Sequence, residues 1–233
     1  MREVMPVRRA SISWVLVVVA VVAIAVFVAL TIAVTGGSLL ALDSRAFEIA
    51  ADLRAPWLDS VAQVVTRLGL IAIVGSAVVL GAVLLVKHRE RVRAVVLTIG
   101  AALAWISVWI VKSVVDRPRP PGALVHTTGQ SYPSGHAANA VAWLALALAL
   151  TVMIPTRGAR IATIVGGALI AVLVGLSRVY LRAHYFSDVL AGEALAVAMY
   201  ALAAIGAVAW QSRDDSGTRG DRGPPTASRD QRR

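Results

Sequence analysis

Six long apolar segments separated by short polar connections dominate the pattern of this chain. A helix that crosses a lipid bilayer needs about 20 mostly apolar residues, and each segment comes close to that length. The pattern therefore predicts an all-α integral membrane protein with six transmembrane helices. We place these helices at approximately 13–35, 67–86, 93–113, 136–154, 160–178 and 186–210.

A shorter amphipathic segment lies between the first two predicted spans. From Asp43 to Arg54, apolar side chains recur on one side of a helix and charged side chains on the other, which predicts a helix lying in the membrane interface. Trp57 follows as a predicted interface anchor. The apolar positions of this segment are Phe47, Ile49, Ala50 and Leu53.

The end of the chain has a different composition. After Trp210 the sequence consists of Arg, Asp, Gly, Ser and Pro with almost no apolar residues, so it cannot bury enough surface to fold by itself. We therefore predict a six-span domain over 1–210 and a disordered cytoplasmic tail over 211–233.

Composition supports the membrane assignment and changes how the charge is interpreted. Hydrophobic residues make up 58% of the 233 residues, charged residues only 15%, and the mean hydropathy is +0.75, which is far from a soluble domain. The net charge of +10 comes from Lys and Arg between apolar runs, which favours a role in membrane orientation over nucleic-acid binding. The absence of cysteine excludes disulfides and thiolate metal sites.

The distribution of basic residues predicts the orientation. Cytoplasmic connections are enriched in Lys and Arg, and with six spans and an inner N-terminus, 15 of the 23 basic residues lie on the inner side. This predicts a multi-pass protein of the cell membrane with both termini in the cytoplasm. Three polar clusters then fall on the extracytoplasmic face, at Lys112–Pro120, Pro133–His136 and Ser177–Asp188.

These clusters contain residues suited to binding a phosphoryl group. Lys112 and Arg119 supply positive charge near the membrane surface, and the planar fork of Arg178 can bind two phosphate oxygens. Ser134 and Gly135 immediately precede an apolar helix, whose N-terminal backbone N–H groups attract anions. Single residues of this kind usually act as anchors or caps, but their combination on one face predicts a phosphate site.

Two histidines in the clusters can carry out the chemistry. His184 and Asp188 are four residues apart, which on a helix places them on one face. Asp188 would then accept the proton of one imidazole nitrogen and leave the other free to attack phosphorus. His136 comes from another segment and is predicted to protonate the departing oxygen.

The three clusters together resemble the signature motifs of the type 2 phosphatidic acid phosphatase (PAP2) superfamily, K-x6-R-P, P-S-G-H and S-R-x5-H-x3-D. The sequence matches every specified position, and the predicted topology agrees over about residues 10–210. The resemblance implies a PAP2-like helical bundle and a phosphohistidine on His184, paired with Asp188. It also selects Arg119 over Arg117, because Arg-Pro occurs twice in the first cluster. The implied phosphate ligands are Lys112, Arg119, Ser134, Gly135, His136 and Arg178.

Three other ionisable residues receive no catalytic role. His88 lies in a basic connection on the predicted cytoplasmic side, and His126 lies outside the motifs. Glu193 is ionisable within a span, which marks it as a functional candidate. On a continuous helix it would point away from His184, so we expect it to serve packing, snorkelling or subunit contact.

The sequence thus predicts a lipid phosphatase that needs neither a metal nor a cofactor. The substrates we expect are polyprenyl (undecaprenyl-type) diphosphate first, and phosphatidic acid or phosphatidylglycerol phosphate as alternatives. Two other hypotheses stay open, a lipid phosphotransferase with a non-water acceptor and a non-enzymatic lipid-phosphate binding or transport protein. The related vanadium haloperoxidases share an anion cradle, but a membrane-embedded chain disfavours their activity.

Overall fold

A computed structural model describes residues 5–38 and 40–220, with side chains over 14–38 and 41–213. The described residues form eight α-helices and one 3₁₀ turn, Thr151–Met153. The helices are α1 (Met5–Thr35), α2 (Leu40–Asp52), α3 (Pro56–Arg67), α4 (Ile71–Lys87), α5 (Arg91–Val115), α6 (Gly135–Leu150), α7 (Arg157–Tyr180) and α8 (Phe186–Gly220).

Five helices, α1, α5, α6 with its 3₁₀ extension, α7 and α8, are long and apolar enough to cross a membrane. The sixth candidate span is broken: α3 and α4 meet at an angle of 48°, and only together do they reach the required length. The predicted span over 67–86 therefore corresponds to α4 alone, preceded by a helix that the hydropathy pattern did not resolve.

Side chains of α6 stabilise the break between α3 and α4. The Leu68 carbonyl accepts a hydrogen bond from Trp143 Nε1 at 2.9 Å, and the Gly69 carbonyl accepts one from Asn139 Nδ2 at 3.2 Å. Carbonyls freed by a helix break need such partners inside a membrane. A Cβ at Gly69 would lie 2.8 Å from the His136 carbonyl oxygen, so glycine is required for this close approach. The break is thereby fixed against the start of α6.

The bundle is built on close helix contacts. α8 packs against α1, α5 and α6, and α6 packs against α7. Small residues allow the approach: a Cβ at Gly167 of α7 would lie 2.7 Å from the Trp143 carbonyl oxygen of α6. Large apolar side chains of α1 and α5, such as Trp14 and Trp109, are exposed on the outside, where lipid would surround them.

The structure departs from the sequence predictions at two further places. The amphipathic helix α2 forms where expected, but Asp43 belongs to its buried face, with only 2% of its surface exposed. The last helix continues to Gly220, ten residues into the segment predicted as a tail. The remainder of that segment, 221–233, lies outside the described residues.

Candidate active site

The three polar clusters meet at one end of the bundle. The first cluster runs from the last turn of α5 into the connection to α6. The second forms the start of α6, and the third joins the end of α7 to the start of α8. Hydrogen bonds connect all three: Arg117 Nη1 donates to Asp188 Oδ1 at 2.5 Å, and Ser134 N donates to the Asp188 carbonyl at 2.9 Å. The structure therefore brings the three clusters together.

His184 and Asp188 pair, but not in the way that the spacing predicted. His184 lies in the turn before α8 rather than on a helix with Asp188, and Asp188 occupies the first turn of α8. Asp188 Oδ2 accepts the backbone N–H of Tyr185 at 3.0 Å, as an acidic side chain at the third helical position does when it caps its own helix. The same oxygen lies 3.5 Å from His184 Nδ1.

The other ring nitrogen of His184 faces a cation. Arg119 Nη1 lies 3.2 Å from His184 Nε2, and because a guanidinium can only donate, this nitrogen is the acceptor and Nδ1 carries the proton. Burial lowers the pKa of His184 to about 4, against the opposing effect of Asp188. The imidazole is therefore neutral at physiological pH, and the electron pair of Nε2 accepts from Arg119.

Asp188 is held by more groups than the sequence indicated. Its carboxylate accepts from Arg117 Nη1 at 2.5 Å and, through a short hydrogen bond, from the Ser131 hydroxyl. Arg117 in turn reaches Asp43 Oδ2 of α2 at 2.7 Å. Burial acts to lower the pKa of Arg117, but Asp188 and Asp43 outweigh it and raise the pKa, so the guanidinium stays charged.

Sequence reasoning missed this network, although two signals pointed to it. Asp43 and Phe47 are four apart and so share a helix face, which places the carboxylate among the apolar positions rather than opposite them. The second signal is the repeated Arg-Pro, because the motif spacing assigns only Arg119 and leaves Arg117 without a role. The structure gives the two arginines different partners: Arg117 pairs with carboxylates, whereas Arg119 faces His184.

Backbone carbonyls hold two of the predicted phosphate-binding cations. Arg119 donates to the carbonyls of Thr128 at 2.7 Å, Gly129 at 2.9 Å and Ala183 at 2.7 Å. Burial lowers the pKa of Arg119. Lys112 Nζ, in the last turn of α5, donates to the Gln130 carbonyl at 2.7 Å. These bonds orient the cations without neutralising them.

Arg178 is the most buried of the three cations, with 5% of its surface exposed. Its Nη1 donates to Thr66 Oγ1 of α3 at 2.8 Å, whereas its Nε has no hydrogen-bond partner among the described residues. A buried guanidinium N–H without a partner is costly, and a phosphate oxygen at this position would satisfy it.

The start of α6 provides the predicted anion cradle. Ser134 is the N-cap, and its hydroxyl accepts from Ala137 N at 3.5 Å. Gly135 is the first helical residue, and a Cβ there would have Val108 as its nearest neighbour at 3.7 Å, an ordinary contact. The protein itself would tolerate a larger residue at this position. Its lack of a side chain leaves the N-terminus of α6 open to an anion.

His136 follows Gly135 in the first turn of α6. It interacts electrostatically with Arg178, His184, Arg119 and Lys112, which places its ring within the same site. In contrast to the His184 ring, its ring makes no hydrogen bond within the part of the chain that the structure describes. Its ring is therefore available to a bound ligand.

The residues given no catalytic role lie elsewhere. His88 and His126 are both exposed. Glu193 lies against α7, where a Cβ at Gly175 would be 2.6 Å from its Oε1. Within the described residues, no group of three or more His, Asp or Glu side chains is arranged to hold a metal ion.

Comparison with known proteins identifies the family. The sequence model of the PAP2 superfamily matches residues 91–212, which contain all three clusters. The chain belongs to the PAP2 superfamily. It is a membrane lipid phosphatase of this metal-independent hydrolase family, so the predicted family, fold class and general activity are confirmed. The roles of the individual residues stay predictions.

Two bacterial proteins are similar in sequence to this PAP2 phosphatase. One is phosphatidylglycerophosphatase B of Bacillus subtilis (strain 168), 29% identical over 180 residues that cover 76% of this chain and 88% of that protein. The other is phosphatidylglycerophosphatase B of Haemophilus influenzae, 40% identical over 81 residues that cover 33% of this chain and 34% of that protein.

Two solved structures share the fold. The crystal structure of a transmembrane PAP2-type phosphatidylglycerolphosphate phosphatase from Bacillus subtilis superposes with a TM-score of 0.73 at 26% identity, covering 84% of this chain and 96% of that one. The crystal structure of Aquifex aeolicus LpxE superposes with a TM-score of 0.56 at 21% identity, covering 70% of this chain and 94% of that one. The second likeness supports the fold alone.

Proposed function

We propose that this PAP2 phosphatase hydrolyses the phosphomonoester of phosphatidylglycerophosphate, with His184 as nucleophile, His136 as general acid and base, and Asp188 as the partner of His184. The observation that carries the proposal is the placement of His184. Its Nδ1 faces Asp188 at 3.5 Å and its neutral Nε2 faces Arg119 at 3.2 Å, so the electron pair of Nε2 is directed at a cation that we propose binds the phosphate.

The first step transfers the phosphoryl group to the enzyme. The electron pair of His184 Nε2 forms a bond to phosphorus, and the bond between phosphorus and the lipid oxygen breaks. His136 gives its proton to that oxygen, which leaves as the lipid alcohol. The ring of His184 keeps the Nδ1 proton and gains one positive charge, which Asp188 stabilises.

The second step regenerates the enzyme. Water attacks phosphorus, the phosphorus–nitrogen bond breaks, and His136 takes up one proton of the water. Inorganic phosphate leaves, and both histidines return to their starting protonation states. Lys112, Arg119, Arg178 and the N-terminus of α6 supply the positive field in both steps, which fits a reaction without a metal ion.

The substrate proposal rests on the relatives and on depth in the membrane. The site lies at one end of a bundle of membrane-spanning helices, where we expect lipid headgroups, and two similar proteins carry the name phosphatidylglycerophosphatase B. This favours phosphatidylglycerophosphate over the polyprenyl diphosphate that we expected first from the sequence. The test measures phosphate release by the purified protein in the presence of a strong chelator. Phosphatidylglycerophosphate, phosphatidic acid and a polyprenyl diphosphate are compared, which gives the order of substrate preference.

We expect the highest kcat/KM with phosphatidylglycerophosphate. The matched control, His184→Ala, should release no phosphate from any of the three substrates. A higher value with polyprenyl diphosphate would reverse the substrate assignment. Product analysis with added glycerol separates hydrolysis from phosphotransfer, because a transferase would release glycerol phosphate instead of inorganic phosphate. Lipid binding without any phosphate release would favour the non-enzymatic alternative.

The orientation is part of the proposal. Basic residues at the opposite end of the bundle support a cytoplasmic location for that end, and hence an extracytoplasmic active site. Because the chain has no cysteine, single cysteines can report it. Ala123→Cys, in the exposed connection near the site, should react with an impermeant thiol reagent in intact cells, whereas Gly158→Cys should not. The reverse pattern would place the site in the cytoplasm.

A further inference from the structure

The interfacial helix α2 contributes a buried carboxylate to the active centre. Asp43 has 2% of its surface exposed, and it accepts hydrogen bonds from the backbone N–H of Ser187 at 2.9 Å and from the Ser187 hydroxyl at 2.8 Å. Ser187 directly precedes Asp188 in the first turn of α8. A helix that the sequence pattern places at the membrane surface is thus bonded to the residue beside the proposed catalytic aspartate.

Arg117 bridges the two carboxylates with the two arms of its guanidinium. Nη2 lies 2.7 Å from Asp43 Oδ2, and Nη1 lies 2.5 Å from Asp188 Oδ1. The side chain is only 12% exposed, and its guanidinium carbon lies 3.9 Å from the centre of the Tyr185 ring. This planar two-armed arrangement is specific to arginine, because a lysine ammonium offers a single charged centre.

The second carboxylate sets the net charge of the buried network. Arg117 and Asp188 alone would form a neutral pair, and the proposed partner of His184 would lose much of its field. With Asp43 included, the buried cluster of Asp43, Arg117 and Asp188 carries one net negative charge beside the Nδ1 side of the His184 ring. Opposite it, Lys112, Arg119 and Arg178 carry the positive charge that suits a phosphate.

We propose that Asp43 and Arg117 are positioning residues for the phosphatase reaction, which keep one negative charge beside His184 to stabilise the cationic ring of its phosphorylated form. The inference rests on the proposed phosphohistidine. When Nε2 bonds to phosphorus and Nδ1 keeps its proton, the ring gains one positive charge in a buried site, where an unbalanced charge is costly. The cluster balances that charge without a change in protonation.

The test compares variants that change the charge of the cluster while keeping its shape. Asp43→Asn makes the cluster neutral and keeps one oxygen that can accept the backbone N–H of Ser187. Arg117→Gln leaves two negative charges, and the double variant restores the original single negative charge. Asp52→Asn is the matched control, because Asp52 lies exposed on the same helix outside the network. For each variant, kcat, KM and the rate of phosphoenzyme formation are measured with phosphatidylglycerophosphate and with phosphatidic acid.

We expect Asp43→Asn to lower kcat and the rate of phosphoenzyme formation by roughly 10- to 100-fold, as removal of a group that orients a functional side chain does, with KM within about twofold. Asp52→Asn should match the unmodified protein. The double variant should turn over faster than Asp43→Asn alone, which a role in merely anchoring α2 does not predict. An unchanged kcat in Asp43→Asn, or a double variant that is no faster than Asp43→Asn, overturns the inference.

Failure of folding leaves the inference testable. If Asp43→Asn does not give monodisperse protein, Arg117→Lys and Arg117→Gln replace it, since both remove the two-armed bridge and only the lysine keeps the charge. Equal loss of kcat in these two variants overturns the charge role. Turnover that survives in His184→Ala would instead refute the proposed phosphohistidine. An inactive His184→Ala beside a fully active Asp43→Asn refutes only the role of Asp43.

Discussion

The two sides of His184 differ in how many of their hydrogen-bonding groups find partners within the protein. On the Asp188 side, Ser131, Arg117 and the Tyr185 backbone all bond to the carboxylate, and Asp43 closes the network from α2. On the His136 side, the Arg178 Nε has no partner among the described residues, and the His136 ring makes no hydrogen bond there either. One side is preorganised, and the other offers unused donors to a ligand.

This difference suggests a division of work between the two histidines. The nucleophile needs a fixed ring orientation and a fixed tautomer before the substrate arrives, and a saturated network supplies both. The general acid must reach different leaving groups and must exchange protons with water, and an unbonded ring in the first turn of α6 permits that. Variants on the two sides should therefore fail in different ways.

The largest effect is expected from the preorganised side. His184→Ala removes the attacking atom, so turnover should fall by at least ~10⁴-fold on every phosphate substrate, whatever its leaving group. Steady-state phosphate release from a lipid monophosphate and from an aryl phosphate measures this. A loss confined to the lipid substrate would show that another residue attacks phosphorus.

His136→Ala should have a smaller and selective effect. An alkoxide leaves poorly without a proton, so we expect a loss of roughly 10² to 10⁴-fold on a lipid monophosphate. With an activated aryl phosphate the first turnover should be much less impaired, and phosphoenzyme should accumulate because its hydrolysis still needs a base. Rapid-quench measurement of the first turnover separates the steps. Equal losses on both substrates would leave His136 a phosphate ligand and no acid.

Two glycines near the start of α6 separate obstruction of the anion from loss of stability. Gly135→Ala adds a methyl group where the protein has room, 3.7 Å from Val108, so the melting temperature should hold while kcat/KM falls by roughly 10- to 100-fold through obstruction of the anion. Gly192→Ala, the control, would press on the backbone of Ser134 and should lower the melting temperature. Full activity in Gly135→Ala would remove the N-terminus of α6 from the phosphate site.

Residue types and spacing were enough to predict the span pattern and all eight proposed site residues as neighbours. Hydropathy locates apolar stretches, and the three motifs occur only at helix ends, so topology alone brings Lys112, His136 and His184 to one face. The Asp188 network was not predictable in this way. Asp43 and Arg117 meet through the docking of α2 on the start of α8, which depends on tertiary packing between segments far apart in sequence.

The bend between α3 and α4 escaped prediction for a related reason. Leu68, Gly69 and Leu70 are apolar, and no proline marks a break, so a hydropathy window treats them as part of a continuous span. The bend is stabilised because Trp143 and Asn139 of α6 donate hydrogen bonds to the carbonyls that the break leaves without helical partners. The spacing of His184 and Asp188 predicted the wrong local structure for a different reason. Two residues four apart lie close together both within one helix and when the second caps a helix that begins after the first, so the spacing alone does not distinguish the two arrangements.

The smallest predicted effect concerns the stability of the preorganised side against pH. Burial lowers the pKa of His184 to about 4, whereas the unfolded chain titrates near ~6.5. The unfolded state therefore binds the proton more readily between these values, so the contribution of His184 to stability is complete above about pH 7 and is lost as the pH falls from ~6.5 towards 4. At pH 5 the loss is about 2 kcal/mol, from 1.5 pKa units at ~1.36 kcal/mol each.

His184→Gln cannot take up this proton, and the other titrating groups are common to both proteins. From pH 7.5 to pH 5, the melting temperature of the unmodified protein should thus fall by several degrees more than that of the variant. Equal falls would mean that the His184 ring is not held neutral by burial, and the preorganised nucleophile would lose its physical basis.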